Sequence, residues 1–274
     1  MKNELEMRFD PKTIEHLGVK MYSTLPPALS ELISNSYDAD ASKVDIKFHE
    51  NAGGPVSISV IDDGDGMSWD DVQNKFLVIG RNRRKDDTQS DLASKKFGRK
   101  ATGKKGLGKL ALFGLAETIT VRTIKNNKLT TFTLSWEALL NTTSGSYKPK
   151  IEDIEKPTNN KNGTTIKLSK LKRKSKFDLE SLANSISKIF NIEKNFNITL
   201  INDANEHTKI DSTRRYNSIN KEFNWNVENI SNTIDSNIII SGEIFTSKLP
   251  ISPSSELRGL KWSSNSVQPN RFFS

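Results

Sequence analysis

The sequence predicts an α+β fold, a two-layer sandwich with helices on one face of a mixed, mainly antiparallel sheet. Two observations carry that expectation. Apolar residues alternate along paired short runs, as half-buried antiparallel strands do, and two segments between those runs repeat at helical spacing instead. Paired strands interrupted by helices suit one covered sheet and not a doubly wound parallel one.

Taken in order, residues 1–25 are mixed and polar, and Pro26-Pro27 suits the first turn of a helix whose pattern continues to about Tyr37. Val44, Ile46 and Phe48 alternate, a glycine turn follows, and Val56, Ile58 and Val60 alternate again, giving a hairpin that ends in the turn "DDGDG". "KLALFGLAE" (109–117) is apolar nearly all round, as a buried helix is. "TITVRTIKNNKLTTFTLSW" (118–136) reads as a second hairpin turning at Asn126-Asn127, and "GTTIKLSKL" (163–171) as a further strand. Polar residues 141–162 read as a surface connection. A helix is expected from Leu179 to Phe190, then "NITLIND" and "NIIISGEIFTS" as strands. The expected division is a first domain over 1–172, containing a loop at 80–108, and part of a second α/β module over 173–274.

No run approaches 18 apolar residues and the N-terminus lacks the apolar middle of an export signal, so neither a membrane span nor secretion is expected. The chain has no cysteine, which removes disulfides and thiolate metal sites and suits the cytoplasm. Its net charge of +8 is localised: Arg81 to Lys109 holds eleven basic residues against three acids, and the remainder balances. "KLSKLKRKSK" (167–176) adds six cations and no acid. Segments of this kind attract anions, including nucleic-acid phosphates.

Glycine motifs within the basic segment are close to familiar patterns without matching them. "GRKATGKK" (98–105) lacks the hydroxyl a P-loop places after its lysine, and "GLGKLA" (106–111) has no buried strand before it. "DDGDG" fails as a calcium loop, because alignment on Gly66 puts Ile61 and Val72 where oxygen ligands belong. What remains is a glycine run leading into an apolar segment, able to bring backbone N–H groups and lysines to phosphate. On the first helix, Glu31, Asn35 and Asp38 fall within about 60° of one another, opposite Leu29, Leu32, Ile33, Ser36 and Tyr37.

E-x-x-x-N-x-x-D-A at Glu31, Asn35, Asp38 and Ala39, D-x-G-x-G at Asp62, Gly64 and Gly66, G-x-x-G-x-G at Gly103, Gly106 and Gly108, and Gly163-Thr164 occur in that order. Together they closely resemble the GHKL ATPase superfamily of gyrase, the heat-shock chaperones, MutL, histidine kinases and the microrchidia ATPases. The resemblance covers about the first 170 residues. It implies a Bergerat-type ATP-binding fold, ATP as substrate and Mg²⁺ as cofactor. Glu31 would be the general base for the attacking water and Asn35 a ligand of Mg²⁺. Asp62 would accept from the adenine amino group, supported by Thr164. Gly64 and Gly66 would let the backbone pass beside the base, with Asp38, Ala39 and Met67 lining the pocket. Gly103, Lys104, Lys105, Gly106, Leu107, Gly108 and Lys109 would close over the triphosphate as a lid. "IGRNRRKDD" (79–87) departs from the family in being arginine-rich, and 86–102 is expected to lack fixed packing until nucleotide binds. A histidine kinase is disfavoured, since Asp38 stands where that branch carries Lys. The hydrolysing branches imply an ATP-dependent homodimer, and the basic segments imply nucleic acid as a further partner.

Overall fold

In the computed structural model, residues 24–78, 94, 96–99, 112–142, 147–190, 195–217, 219–227 and 242–250 are described. Helix α1 (Leu25–Asp38) starts on Pro26 and Pro27, where missing N–H groups leave no helical bond unmade. Its residues Leu25, Ala28, Leu29, Leu32, Ile33 and Tyr37 recur at three- and four-residue spacing and are buried. Strands β1 (Lys43–Asn51) and β2 (Gly54–Asp62) follow as an antiparallel hairpin. A short helix α2 (Trp69–Asp71) is closed by a capping box between Ser68 and Asp71 and runs into a π-turn at Val72–Phe76.

After a 3₁₀ turn at Leu112–Gly114 come β3 (Ala116–Lys125) and β4 (Lys128–Ser135), joined at Asn126 and Asn127. Both of these asparagines have φ above zero, 51° and 61°, the conformation a two-residue hairpin turn demands and Asn tolerates. Helix α3 (Trp136–Leu140), β5 (Lys150–Pro157), β6 (Gly163–Leu171), α4 (Leu179–Ile189), β7 (Asn197–Ile201) and β8 (His207–Ile210) complete the main body. Strands β9 (Lys221–Val227) and β10 (Gly242–Ser247) form a separate two-stranded ribbon.

The eight strands β1 to β8 make one sheet in the order β5-β4-β3-β6-β2-β1-β7-β8, antiparallel except for the parallel pair β1 and β7. Its register lines residues into rows across the sheet. One row joins Leu200, Ile46, Val60, Ile166, Val121 and Phe132, and the next joins Phe48, Ile58, Leu168, Ile119 and Leu134, all buried. Helices α1 and α4 pack against each other as the second layer. Nearly all of the apolar core therefore belongs to one cluster.

Three differences from the sequence expectation have local causes. Leu112–Gly114 is a 3₁₀ turn and Ala116-Glu117 already belong to β3, because the β-branched run Thr118 to Val121 extends the strand backward to Ala116; residues 109–111 of the expected helix lie outside the described residues. Strand β5 lies inside the stretch expected to be a connection. It is an edge strand with exposed Ile151 and Ile154 and two register breaks against β4, so it lacks the alternation of a half-buried strand. Finally, the chain continues across the expected boundary at 172 without leaving the sheet: β7 pairs with β1, and Leu182, Ala183, Ile186, Ile198, Leu200 and Ile210 join the same core as the first strands.

Candidate functional site

The next row of the sheet turns polar. Val44 pairs with Asp62, Asp62 with Thr164, Thr164 with Thr123 and Thr123 with Thr130, on the same face as the apolar rows and two residues farther along each strand. Thr123 and Thr130 are buried, so this row forms a polar layer at one end of the apolar core. Asp62 stands where α1 meets it.

The Asp62 carboxylate is held from three directions. Ser36 Oγ donates to Oδ2 at 3.0 Å, and the Gly64 and Thr164 N–H groups donate to Oδ1 at 3.0 and 3.1 Å. Burial nevertheless dominates and pushes its pKa above the ordinary carboxylate value, with those three hydrogen bonds offsetting part of the shift and neighbouring Asp63 adding to it. Thr164 is itself fixed by a hydroxyl contact to Thr123 at 3.1 Å, and Thr123 Oγ1 accepts the Met67 N–H at 2.8 Å. Met67 packs against the core cluster.

The 62–67 turn presses on its neighbours so closely that glycine is dictated. A Cβ on Gly64 would lie 2.6 Å from the Ala39 carbonyl oxygen, which already accepts the Asp65 N–H at 2.8 Å. Gly66 has φ +68°, and a Cβ there would lie 1.9 Å from the Ile124 carbonyl oxygen. Ala39 thus abuts the turn at the C-terminal end of α1. On the same last turns, Glu31 and Asp38 are half-buried and Asn35 is exposed. Ser36 binds Asp62 directly from the core face of α1, whereas Glu31, Asn35 and Asp38 lie on the opposite, polar face of the same helix. Gly103, Lys104, Lys105, Gly106, Leu107, Gly108 and Lys109 lie outside the described residues.

Two groups of contacts had no counterpart in the sequence reading. Ser36 was assigned only to the core face of α1, and Thr123 to a strand. A hydroxyl at an otherwise apolar helical position, and threonines continuing the alternation of Ile119 and Val121, are the available clues. The second group is an anchor. Asp40 accepts the Lys96 and Phe97 N–H groups at 2.7 and 3.2 Å, and buried Arg99 donates to the carbonyls of Tyr37, Ala41 and Asn195. Its guanidinium lies 4.2 Å from both the Tyr37 and Phe97 ring centres. Burial opposes ionisation of Asp40, but hydrogen bonds from Ser94, Lys96 and Phe97 and the charge of Arg99 hold its pKa below the usual carboxylate value. Residues 96–99 are thus tied to the C-terminal end of α1, while the rest of 86–102 apart from Ser94 lies outside the described residues.

Among the described residues no cluster of three or more His, Asp or Glu side chains could by itself hold a metal ion, and no helix is long and apolar enough to cross a membrane. An isolated exposed amide oxygen, Asn35, matches a hard cation that takes its remaining ligands from phosphate and water.

A family model described as histidine kinase-, DNA gyrase B-, and HSP90-like ATPase matches residues 22–165, just over half of the chain. A stretch of 121 residues, 44% of this chain, is 36% identical to the "Putative type II restriction enzyme HgiDII" of Herpetosiphon aurantiacus. It covers 18% of that protein's length.

Proposed function

Because the chain belongs to the histidine kinase-, DNA gyrase B- and HSP90-like ATPase family and so carries its ATP-binding domain, we propose that it hydrolyses ATP with Mg²⁺ and uses the nucleotide as a conformational switch. The observation that carries this reading is the half-buried Asp62 carboxylate, fixed by Ser36, Gly64 and Thr164 beside a row of threonines near the end of α1.

In this reading the adenine amino group donates to Asp62, and the N–H of Thr164, whose hydroxyl is held by Thr123, keeps that carboxylate aimed. Gly64 and Gly66 let the 62–67 turn pack against Ala39 and Ile124 and so set the backbone that passes beside the base. Glu31, one turn of α1 before Asn35, takes the proton of the attacking water. Asn35 holds Mg²⁺ through its side-chain oxygen, and the ion supplies charge neutralisation of the phosphates. Asp38, Ala39 and Met67 line the nucleotide site. The Gly103 to Lys109 segment brings N–H groups and lysine charge to the triphosphate. Two copies joining when ATP binds is part of the same proposal, as is the cytoplasm as its compartment.

The experiment is a Glu31→Ala variant followed by calorimetric titration with ATP and Mg²⁺ and by phosphate release. ATP affinity stays within a few-fold of the parent, while turnover falls by about 100-fold or more, the usual scale for a lost general base. Parental turnover in the variant excludes Glu31 from that role.

A second reading, contact with nucleic acid, is favoured by the localised basic excess and by similarity to a protein named as a restriction enzyme. Here ATP hydrolysis would control how the chain engages a nucleic acid.

A further inference from the structure

A cleft of about 660 Å³ opens at the end of the sheet away from Asp62. The start of α1, the Gly114-Leu115 turn, the hinge from Leu171 to Asp178 and the first turns of α4 line it. Strand β6 connects the two places: Thr164 is near its start and Leu171 at its end, roughly 23 Å apart at the rise of an extended strand. The cleft is thus distinct from the nucleotide site.

Its rim is cationic. Lys172, Arg173 and Lys174 line the cleft, Lys176 follows, and Lys167 and Lys170 precede them on β6; all six are exposed. None of the six forms an ion pair among the described residues. The hinge nevertheless has a set conformation. The Lys172 N–H donates to the Leu115 carbonyl at 2.9 Å, the Phe177 N–H to Glu50 at 2.7 Å, and Arg173 donates to the carbonyls of Ser175 and Lys176 at 2.7 and 2.9 Å. Asp178, the acid in the lining, is occupied in capping α4, where it accepts the Ser181 N–H at 3.0 Å. Six cations along ten residues repel one another at a cost that a bound anion relieves.

The arrangement also indicates the kind of anion. Lys172, Arg173 and Lys174 are consecutive along the hinge, with Lys176 two residues on, and a row of neighbouring cations suits a linear polyanion better than a single phosphate. Ser175 and Ser181 add neutral hydroxyls along the same wall. Aromatic faces accompany the charges: Lys172 Nζ lies 5.5 Å from the Trp136 ring centre, and the Arg173 guanidinium 5.7 Å from that of Phe177. The fold brings Trp136, distant in sequence, to these cations from β4's end. Backbone phosphates on cations with apolar and aromatic surface beside them is the chemistry of nucleic-acid contact.

We propose that this cleft binds the phosphodiester backbone of a nucleic acid through Lys172, Arg173 and Lys174, an inference that rests on the second reading above and assigns it a place. The test uses the full chain and fluorescence anisotropy with labelled DNA of about 20 nucleotides, single-stranded and duplex, at low and moderate salt. The triple charge reversal K172E/R173E/K174E is compared with K128E/K156E/K161E, which makes the same charge change on the paired strands β4 and β5 and the turn after β5. ATP titration of every protein is run in parallel and reports whether each is folded. The expected result is a loss of at least about tenfold in DNA affinity for the cleft variant, with the hairpin variant within about threefold of the parent. The DNA form bound more tightly by the parent identifies the natural strand state. Parental DNA binding in the cleft variant overturns the cleft while leaving the second reading in place, and equal losses in both variants do the same. A parent that ignores DNA at low salt while binding ATP overturns the cleft and the second reading together, but not the ATPase. Should the reversal prevent folding, K174A alone carries the test, and a salt slope unchanged from the parent, where a fall of about one is expected, overturns the proposal.

Discussion

Burial raises the Asp62 pKa, and the Gly64 and Thr164 N–H groups and the Ser36 hydroxyl return only part of that cost. Folding therefore favours the neutral acid, whereas adenine recognition needs acceptor oxygens. Asp62→Asn separates the two requirements. The Asn side-chain oxygen can keep both N–H donors now on Oδ1, and its amide can donate to Ser36, whose own proton has the Leu32 carbonyl 3.1 Å away. The sign of the pH effect follows from a folded pKa above the unfolded one. The ionisation cost is absent below about pH 4, the unfolded carboxylate value, and grows as pH rises through the folded pKa. Thermal denaturation against pH should find the variant at least as stable as the parent at neutral pH, with its advantage shrinking as pH falls. ATP affinity should drop by about tenfold or more, since an amide nitrogen cannot accept from adenine. A variant destabilised at neutral pH would show that the carboxylate is needed for folding and not kept for a ligand.

At the scale of elements, the turn after β2 is fixed by its contact with β3. Gly66→Ala combines a left-handed φ with a Cβ placed on the Ile124 carbonyl, and backbone at that spot cannot swing aside as a side chain can. Gly98 provides the control, with φ +64° and nothing within 4 Å of its Cβ position. Urea titration should show Gly98→Ala losing about 1 kcal/mol, the conformational penalty alone, and Gly66→Ala losing roughly 3 kcal/mol or more. Equal losses would mean that the turn can move away from β3. The turn itself was legible in the sequence, because D-x-G-x-G is a short-range pattern whose spacing survives translation into structure. The threonine row was not legible. Thr123, Thr130 and Thr164 come from three strands, and only the register that stacks them shows that they form one row beside Asp62. Strand β5 was missed for a related reason: an edge strand with exposed isoleucines carries no periodicity to read. The Arg99 anchor joins residues about 60 positions apart with no motif between them.

On the scale of the whole molecule, the body that carries Asp62 does not end where the family motifs end. A parallel neighbour for β1 arrives only with β7, and the crossover between them contributes α4, whose Leu182, Ala183 and Ile186 pack into the cluster that also holds Ile33 and Ile46. Arg215 then closes the far end of α4, donating to the carbonyls of Ser187, Lys188 and Phe190. From the other side, Phe196 meets the edge of Tyr37 with ring centres 5.3 Å apart, and Arg99 reaches the Asn195 carbonyl. A chain stopped at Lys172 would expose β1 as an edge and remove Leu182, Ile186, Phe196, Ile198, Leu200 and Ile210 from the core. At about 1.5–3 kcal/mol for each buried side chain, that loss reaches roughly 10 kcal/mol, comparable with the whole stability of an ordinary domain. A fragment ending at Lys172 should therefore show no cooperative thermal transition and no ATP binding. One ending at Asn220, which keeps α4, β7, β8 and Arg215, should melt cooperatively and retain ATP affinity within a few-fold of the full chain. Differential scanning calorimetry of the two fragments decides the matter: a single sharp transition in the shorter one, near that of the longer, would place the boundary back at residue 172 and make β7 and β8 a dispensable addition to the sheet.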